Sequence, residues 1–108
     1  MHISAHVRNS PHAHEVTVTT AGASRTIAVP PKAAGNGSAV NGGEFLMLAL
    51  ATCYCNDLYL EAARLNIPID GVEVEARGEF PAVGLGAVDT SYRARVSSSA
   101  PPSRIEEL

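Results

Sequence analysis

Residues 41–55, Asn-Gly-Gly-Glu-Phe-Leu-Met-Leu-Ala-Leu-Ala-Thr-Cys-Tyr-Cys, constrain this chain more than any other stretch. Between Phe45 and Cys55 only Thr52 is clearly polar. A surface helix shows an apolar stripe, whereas a helix that is apolar all round needs cover on every side. The run therefore predicts a long buried central helix. Cys53 lies about three turns into it, in the interior or in a pocket at an interface. A thiol so placed is either inert packing or chemistry.

The ends of this helix are legible. Asn41 is a strong N-cap, and Glu44 stands at N3, where it completes a capping box. Asp57, Glu61 and Arg64 recur at helical spacing and give the second half a wet face. Asn66 and Pro68 stop the helix, so it spans about 25 residues.

Strands flank it on both sides. Residues 2–8 alternate, with Ile3, Ala5 and Val7 on one side and His2, Ser4, His6 and Arg8 on the other. This is the period of a half-buried strand. Asn9, Ser10 and Pro11 signal a turn. Residues 14–20 alternate again, residues 21–24 turn, and residues 25–29 form a third strand, giving an antiparallel meander. Residues 30–40, rich in Pro, Gly, Ala, Asn and Ser, read as a mobile loop. Residues 71–80 and 88–98 alternate as a second strand pair. Pro101 and Pro102 open a short terminal helix. The fold class is α+β, with antiparallel strands flanking the central helix.

At 108 residues the chain reads as a single domain. Aromatic residues are only 5% and Trp is absent, so the core is built from Ala, Val, Leu and Ile. A core this small leans on burial from a partner. The net charge of −3, with Arg and Lys scattered, gives no basic stripe for nucleic acid. The longest apolar stretch falls well short of the roughly 20 residues that span a bilayer. The first residues lack the pattern of a signal peptide. Two cysteines, two apart, make no disulfide framework, which points to a reducing, cytoplasmic setting.

Cys53 is the first candidate for chemistry. The thiolate is the reactive form, and Cys53 is too deep in the helix for its N-terminal dipole to help. A reactive Cys53 needs a cation from elsewhere. The plain alternative is a small apolar core residue. Cys55 lies about 200° further round the helix and reads as core. Glu44 either caps the helix, or orients an Arg, or both. Arg8 and Arg25 are each solvated strand charges or the missing cation. Arg8 fits that role better, because it opens a hairpin loop whose tip can fold over a pocket. His12 and His14, with His2 and His6 nearby, fall short of a zinc site, which needs three or four converging ligands.

The segment from Asn41 to Cys53 resembles the OsmC/Ohr family of osmotically inducible and organic-hydroperoxide-resistance proteins. That family carries Asn-Pro-Glu-Glu-Leu-Leu-Leu-Ala-Ala-Leu-Ala-Gly-Cys on its central helix. The passage Leu-Asn-Ile-Pro-Ile-Asp-Gly-Val-Glu-Val-Glu-Ala-Arg-Gly from Leu65 also looks like the family's exit from that helix. The resemblance implies an intertwined homodimer with two equivalent interface sites. It implies a thiol peroxidase in which Cys53 attacks an organic hydroperoxide, Arg8 activates the thiol and Glu44 holds the Arg. It calls for no cofactor, only an external thiol reductant.

Three departures accompany it. The family's motif glutamate, ten residues before the Cys, is Gly43 here, while Glu44 is nine before. That rotates the carboxylate by about 100°. No Cys follows Cys55 to act as a resolving thiol. The family's second helix and closing strand are cut short at Leu108. The competing expectation is thus a non-catalytic dimer that binds a small apolar ligand at its interface. A serine hydrolase is disfavoured, because no nucleophile elbow is present.

Overall fold

A computed structural model describes all residues, 1–108. The chain is α+β, with antiparallel strands and one long helix, and it forms two compact units, Met1–Gly42 and Gly43–Leu108.

The first unit is a meander of β1 (Ile3–Ser10), β2 (Ala13–Thr20) and β3 (Ala23–Ile27), paired in that order. Ser10 pairs with Ala13, so the first turn is Pro11 and His12, one step later than the turn signal suggested. Asn9 and Ser10 continue the ladder instead of leaving it. The second turn is Ala21 and Gly22, at φ +49° and +83°. Two positive φ values make a type I′ hairpin, whose twist suits antiparallel strands. This tight turn starts β3 two residues earlier than the sequence pattern implied.

Register sorts the side chains. Val7 pairs with Val16, Val16 with Ile27, and Ala5 with Val18, which gathers the apolar residues on one face. Only Val16 of this row is buried, while Val29 is buried just beyond β3. Ile3 and Val7 remain 64% and 60% exposed, so β1 is not the half-buried strand its alternation predicts. Alternation records a face meant for cover; it does not supply the cover.

Residues 30–40 are organised. Pro31 and Ser38 bridge, Lys32 N–H donates to Gly37 O at 2.9 Å, and Ala39 N–H donates to Pro30 O at 3.0 Å. The mobile loop read from composition has its own backbone bonds.

The second unit holds α1 (Gly42–Arg64, apart from its first residue), β4 (Gly71–Glu79), β5 (Val88–Ser97) and α2 (Pro102–Ile105). Leu, Ala and Met are strong helix formers and favour α1 through its apolar half. Its end is a Schellman motif. Asn66 takes the left-handed position at φ +55°. Ile67 N–H donates to Ala62 O at 2.8 Å, and Asn66 N–H to Ala63 O at 3.2 Å. Ala62 and Ile67 are both buried, which closes the hydrophobic contact this motif favours. The Arg104 guanidinium donates to Leu65 O, placing a cation at the negative end of the helix.

Hairpin β4–β5 has two distinct faces. Val72 pairs with Val96, Val74 with Ala94 and Ala76 with Tyr92 on one; Glu73 pairs with Arg95 and Glu75 with Arg93 on the other. Helix α1 lies on the apolar face. The ladder slips at Gly78, where a Cβ would come within 3.2 Å of Met47 Cε, so glycine admits the helix closely.

Asn66 tests the helix end. Asn66→Ala places a Cβ without a polar group at positive φ, and a loss of about 1 kcal/mol is expected. Asn66→Gly should be neutral or stabilising. Equal urea midpoints for the two variants would contradict the motif.

Candidate functional site

Cys53 is the twelfth residue of α1, about 16 Å along the axis from its start. The helix divides lengthwise. Met47, Ala51, Tyr54, Cys55, Leu58, Ala62 and Leu65 form the stripe turned to the hairpin, and all are at least half-buried. Leu46, Leu50, Cys53 and Leu60 lie on another stripe and are exposed. Leu48, at 58% exposure, lies about 140° round from Cys53, on the other flank of the buried stripe.

Cys53 is therefore exposed and Cys55 half-buried. The two thiols do face different ways, as helical spacing requires. The expectation of a helix buried on every side is corrected: only Leu58 and Ala62 of α1 are buried. A two-stranded sheet covers one side of a helix and no more. Cys53 sits on apolar surface rather than in an interior.

The other two candidates have definite positions. Glu44 stands at N3, two residues after the first helical residue Gly42. Nine residues separate it from Cys53, which is half a turn of azimuth and about 13 Å of rise. The carboxylate and the thiol thus emerge on opposite sides of α1. Arg8 belongs to the first unit, in the β1–β2 ladder directly opposite Glu15. It does not open the hairpin loop, because pairing runs on to Ser10. Opposite charges across a ladder favour this register. Alternation puts Arg8 and Glu15 on the polar face. Arg25, opposite Val18, emerges from the apolar face.

No group of three or more His, Cys, Asp and Glu side chains converges on a metal-sized site. His14 instead contacts Asn9, with its Nδ1 3.1 Å from Asn9 Nδ2.

On the hairpin side of α1 the structure assembles groups that the sequence did not announce. Tyr54 and Tyr92 stack with ring centroids 4.5 Å apart, tilted by 39°. A side-chain hydrogen bond to Tyr92 raises the Tyr54 phenol above its ordinary range, with desolvation and the neighbouring phenol adding to it. Tyr54 also borders an open cleft of about 370 Å³, with Asp57, Leu58, Leu60, Glu61 and Leu108. Glu61 accepts from Arg64, which holds its carboxyl below the usual range and raises the guanidinium in turn. Both groups of that pair are exposed, so it contributes little to stability. Alternation alone marked Tyr92 as inward. Its partner depended on where α1 crosses β5.

A raised Tyr54 favours the protonated phenol in the folded state, so the pair's support is present at neutral pH and fades at alkaline pH. Tyr92→Phe removes the largest cause. Alkaline titration followed at the phenolate absorbance should then show one phenol moving down toward the ordinary value of about 10.

The family model described as OsmC-like protein matches residues 35–108. No curated protein and no solved structure matches the chain significantly.

Proposed function

Since the chain belongs to the OsmC-like family, we propose that it is a thiol-dependent peroxidase of oxidative and osmotic stress defence that reduces organic hydroperoxides. Cys53 is its nucleophile. The observation that carries this reading is the place of Cys53: an exposed thiol on the family's helix, one turn from the exposed Leu50, with the exposed Leu46 and Leu60 about two turns away along the same side. A nucleophile needs access, and an alkyl hydroperoxide needs apolar surface beside it.

The Cys53 thiolate attacks the terminal peroxide oxygen. An S–O bond forms as the O–O bond breaks, and the departing alkoxide takes up a proton to become the alcohol. Cys53 is left as a sulfenic acid, the first step of cysteine oxidation. Cys55, about 200° round the helix, is badly placed to close an intrahelical disulfide. An external thiol therefore condenses with the sulfenic acid, releasing water and leaving a mixed disulfide on Cys53; a second thiol attacks that disulfide, frees Cys53 and leaves joined to the first as a disulfide. No cofactor takes part, and such a cycle suits a reducing cytoplasm.

A cation close to the sulfur favours the thiolate. Arg8 is the proposed source; Glu44, on the opposite side of α1 and about 13 Å along it from Cys53, is assigned to capping the helix. Arg25, on the apolar face of the meander, is the rival. The protomer is one functional domain that acts as a homodimer. A second copy covers the stripe that includes Leu46, Leu50 and Leu60, and builds a pocket around Cys53. No helix is long and apolar enough to cross a membrane, so this stripe is not a bilayer span.

One observation favours the non-catalytic reading, a dimer that binds a small apolar ligand at its interface. The family's motif glutamate is replaced by Gly43, and Glu44 lies across the helix from Cys53.

Oxidation by cumene hydroperoxide and by hydrogen peroxide, with dimedone trapping the sulfenic acid, separates the two. The peroxidase reading expects fast trapping that prefers the organic peroxide and vanishes in Cys53→Ser. Loss of the activating Arg should slow the step by about tenfold or more at neutral pH and less at alkaline pH. Arg8→Ala is expected to show this and Arg25→Ala is not. A rate equal to that of a free thiol assigns the pocket to ligand binding.

The dimer has its own check. Sedimentation equilibrium should give twice the chain mass for the wild type, and a shift toward monomer for Leu50→Glu. A wild type that stays monomeric at high concentration overturns the shared pocket.

A further inference from the structure

We propose that Asn9 and His14 form an acid-sensitive latch on residues 30–40: neutral His14 holds that segment to β1, and protonated His14 releases it. Gly37 N–H donates to Asn9 Oδ1 at 3.0 Å, and Asn9 Nδ2 donates to Gly37 O at 3.3 Å. The side-chain amide thus pairs with one residue in both directions, like a rung of a β-ladder.

A backbone N–H only donates and a backbone carbonyl only accepts. The orientation of the Asn9 amide is therefore determined by Gly37. Its second N–H then points at His14 Nδ1, 3.1 Å away. Nδ1 must accept, which requires neutral His14 with its proton on Nε2. The imidazolium carries a proton on both nitrogens. Protonation sets two donors against each other. The amide can turn to present Oδ1 to the ring only by giving up both bonds to Gly37.

On the same sheet face, β1 contributes Val7 and β2 contributes Val16, neither charged. Arg8 and Glu15 emerge from the opposite face, and His12 is in the adjoining turn. The segment itself brings Lys32, whose side-chain end lies along Gly37. Gly37, at φ +112°, is a residue that few others replace, so the rung depends on this pairing.

Release would free the segment that leads into α1. The Pro31–Ser38 bridge and the Ala39-to-Pro30 bond close the segment on itself, so Asn9 is its tie to β1. From there the chain runs directly into Asn41 and the start of α1.

The test is amide hydrogen exchange and ¹H–¹⁵N spectroscopy of the full chain between about pH 7.5 and about pH 5, where imidazoles change charge. After correction for intrinsic exchange, protection of the Gly37 amide should fall about tenfold, the worth of one net hydrogen bond. Its resonance should move in step with the His14 ring. His14→Gln keeps an uncharged acceptor and should abolish the pH dependence. Asn9→Ala should leave Gly37 unprotected at both ends. Undiminished protection while His14 titrates, or the same loss in His14→Gln, would overturn the latch.

Discussion

Helix α1 has more apolar surface than its own chain can cover, and the rest of the structure depends on that mismatch. A helix about 34 Å long meets a two-stranded sheet, which reaches one side of it. Met47, Tyr54, Leu58 and Ala62 go to that side; Leu46, Leu48, Leu50 and Leu60 do not. Five apolar residues in the chain are buried, and no polar or charged residue is. The free energy left on the outer stripe is available for association, and Cys53 is on that stripe.

The ends of α1 are built more firmly than its middle. The Schellman closure at Asn66, the buried Ala62–Ile67 contact and the Arg104 bond to Leu65 O satisfy carbonyls that a helix end otherwise leaves to water. Ser98 donates to Pro68 O and Asp70 N–H donates to Ser97 O, which ties the exit from the helix to the end of β5. This geometry fixes the register of the hairpin against the helix. It places Tyr92 on Tyr54 and Gly78 under Met47. The outer face of the same hairpin is a ladder of Glu and Arg, a solvated surface that keeps the pair from being apolar on both sides.

Most of the elements were legible, and the reasons are local. Period-two alternation marked four of the five strands, and the N-cap Asn41 and the pair Asn66 and Pro68 bracketed α1 within a residue or two. Errors fell at turns, where φ values rather than polarity decide. Ala21 was not an obvious left-handed residue, so β3 was placed late; Asn9 and Ser10 looked like turn residues but pair in the ladder. Composition made residues 30–40 look unstructured, because it shows neither the bonds that close the segment on itself nor its tie to Asn9, a residue 28 positions from Gly37. Arg8 does not open the hairpin loop, because pairing runs on to Ser10. Its place opposite Glu15 depends on where the turn falls.

Sequence alone determined the α+β class, the length and ends of α1, the strand alternation, and the opposed azimuths of Cys53 and Cys55. These are properties of spacing, set by 3.6 residues per turn and by two per strand repeat. Tertiary structure decided which face of α1 the hairpin takes, and so which thiol is exposed. It decided that Tyr54 finds Tyr92, that Arg25 rather than Arg8 emerges among the apolar residues of the meander, and that Asn9 holds Gly37. Periodicity states that a face is apolar but not what lies against it. That depends on register between segments distant in sequence, which only the folded chain specifies.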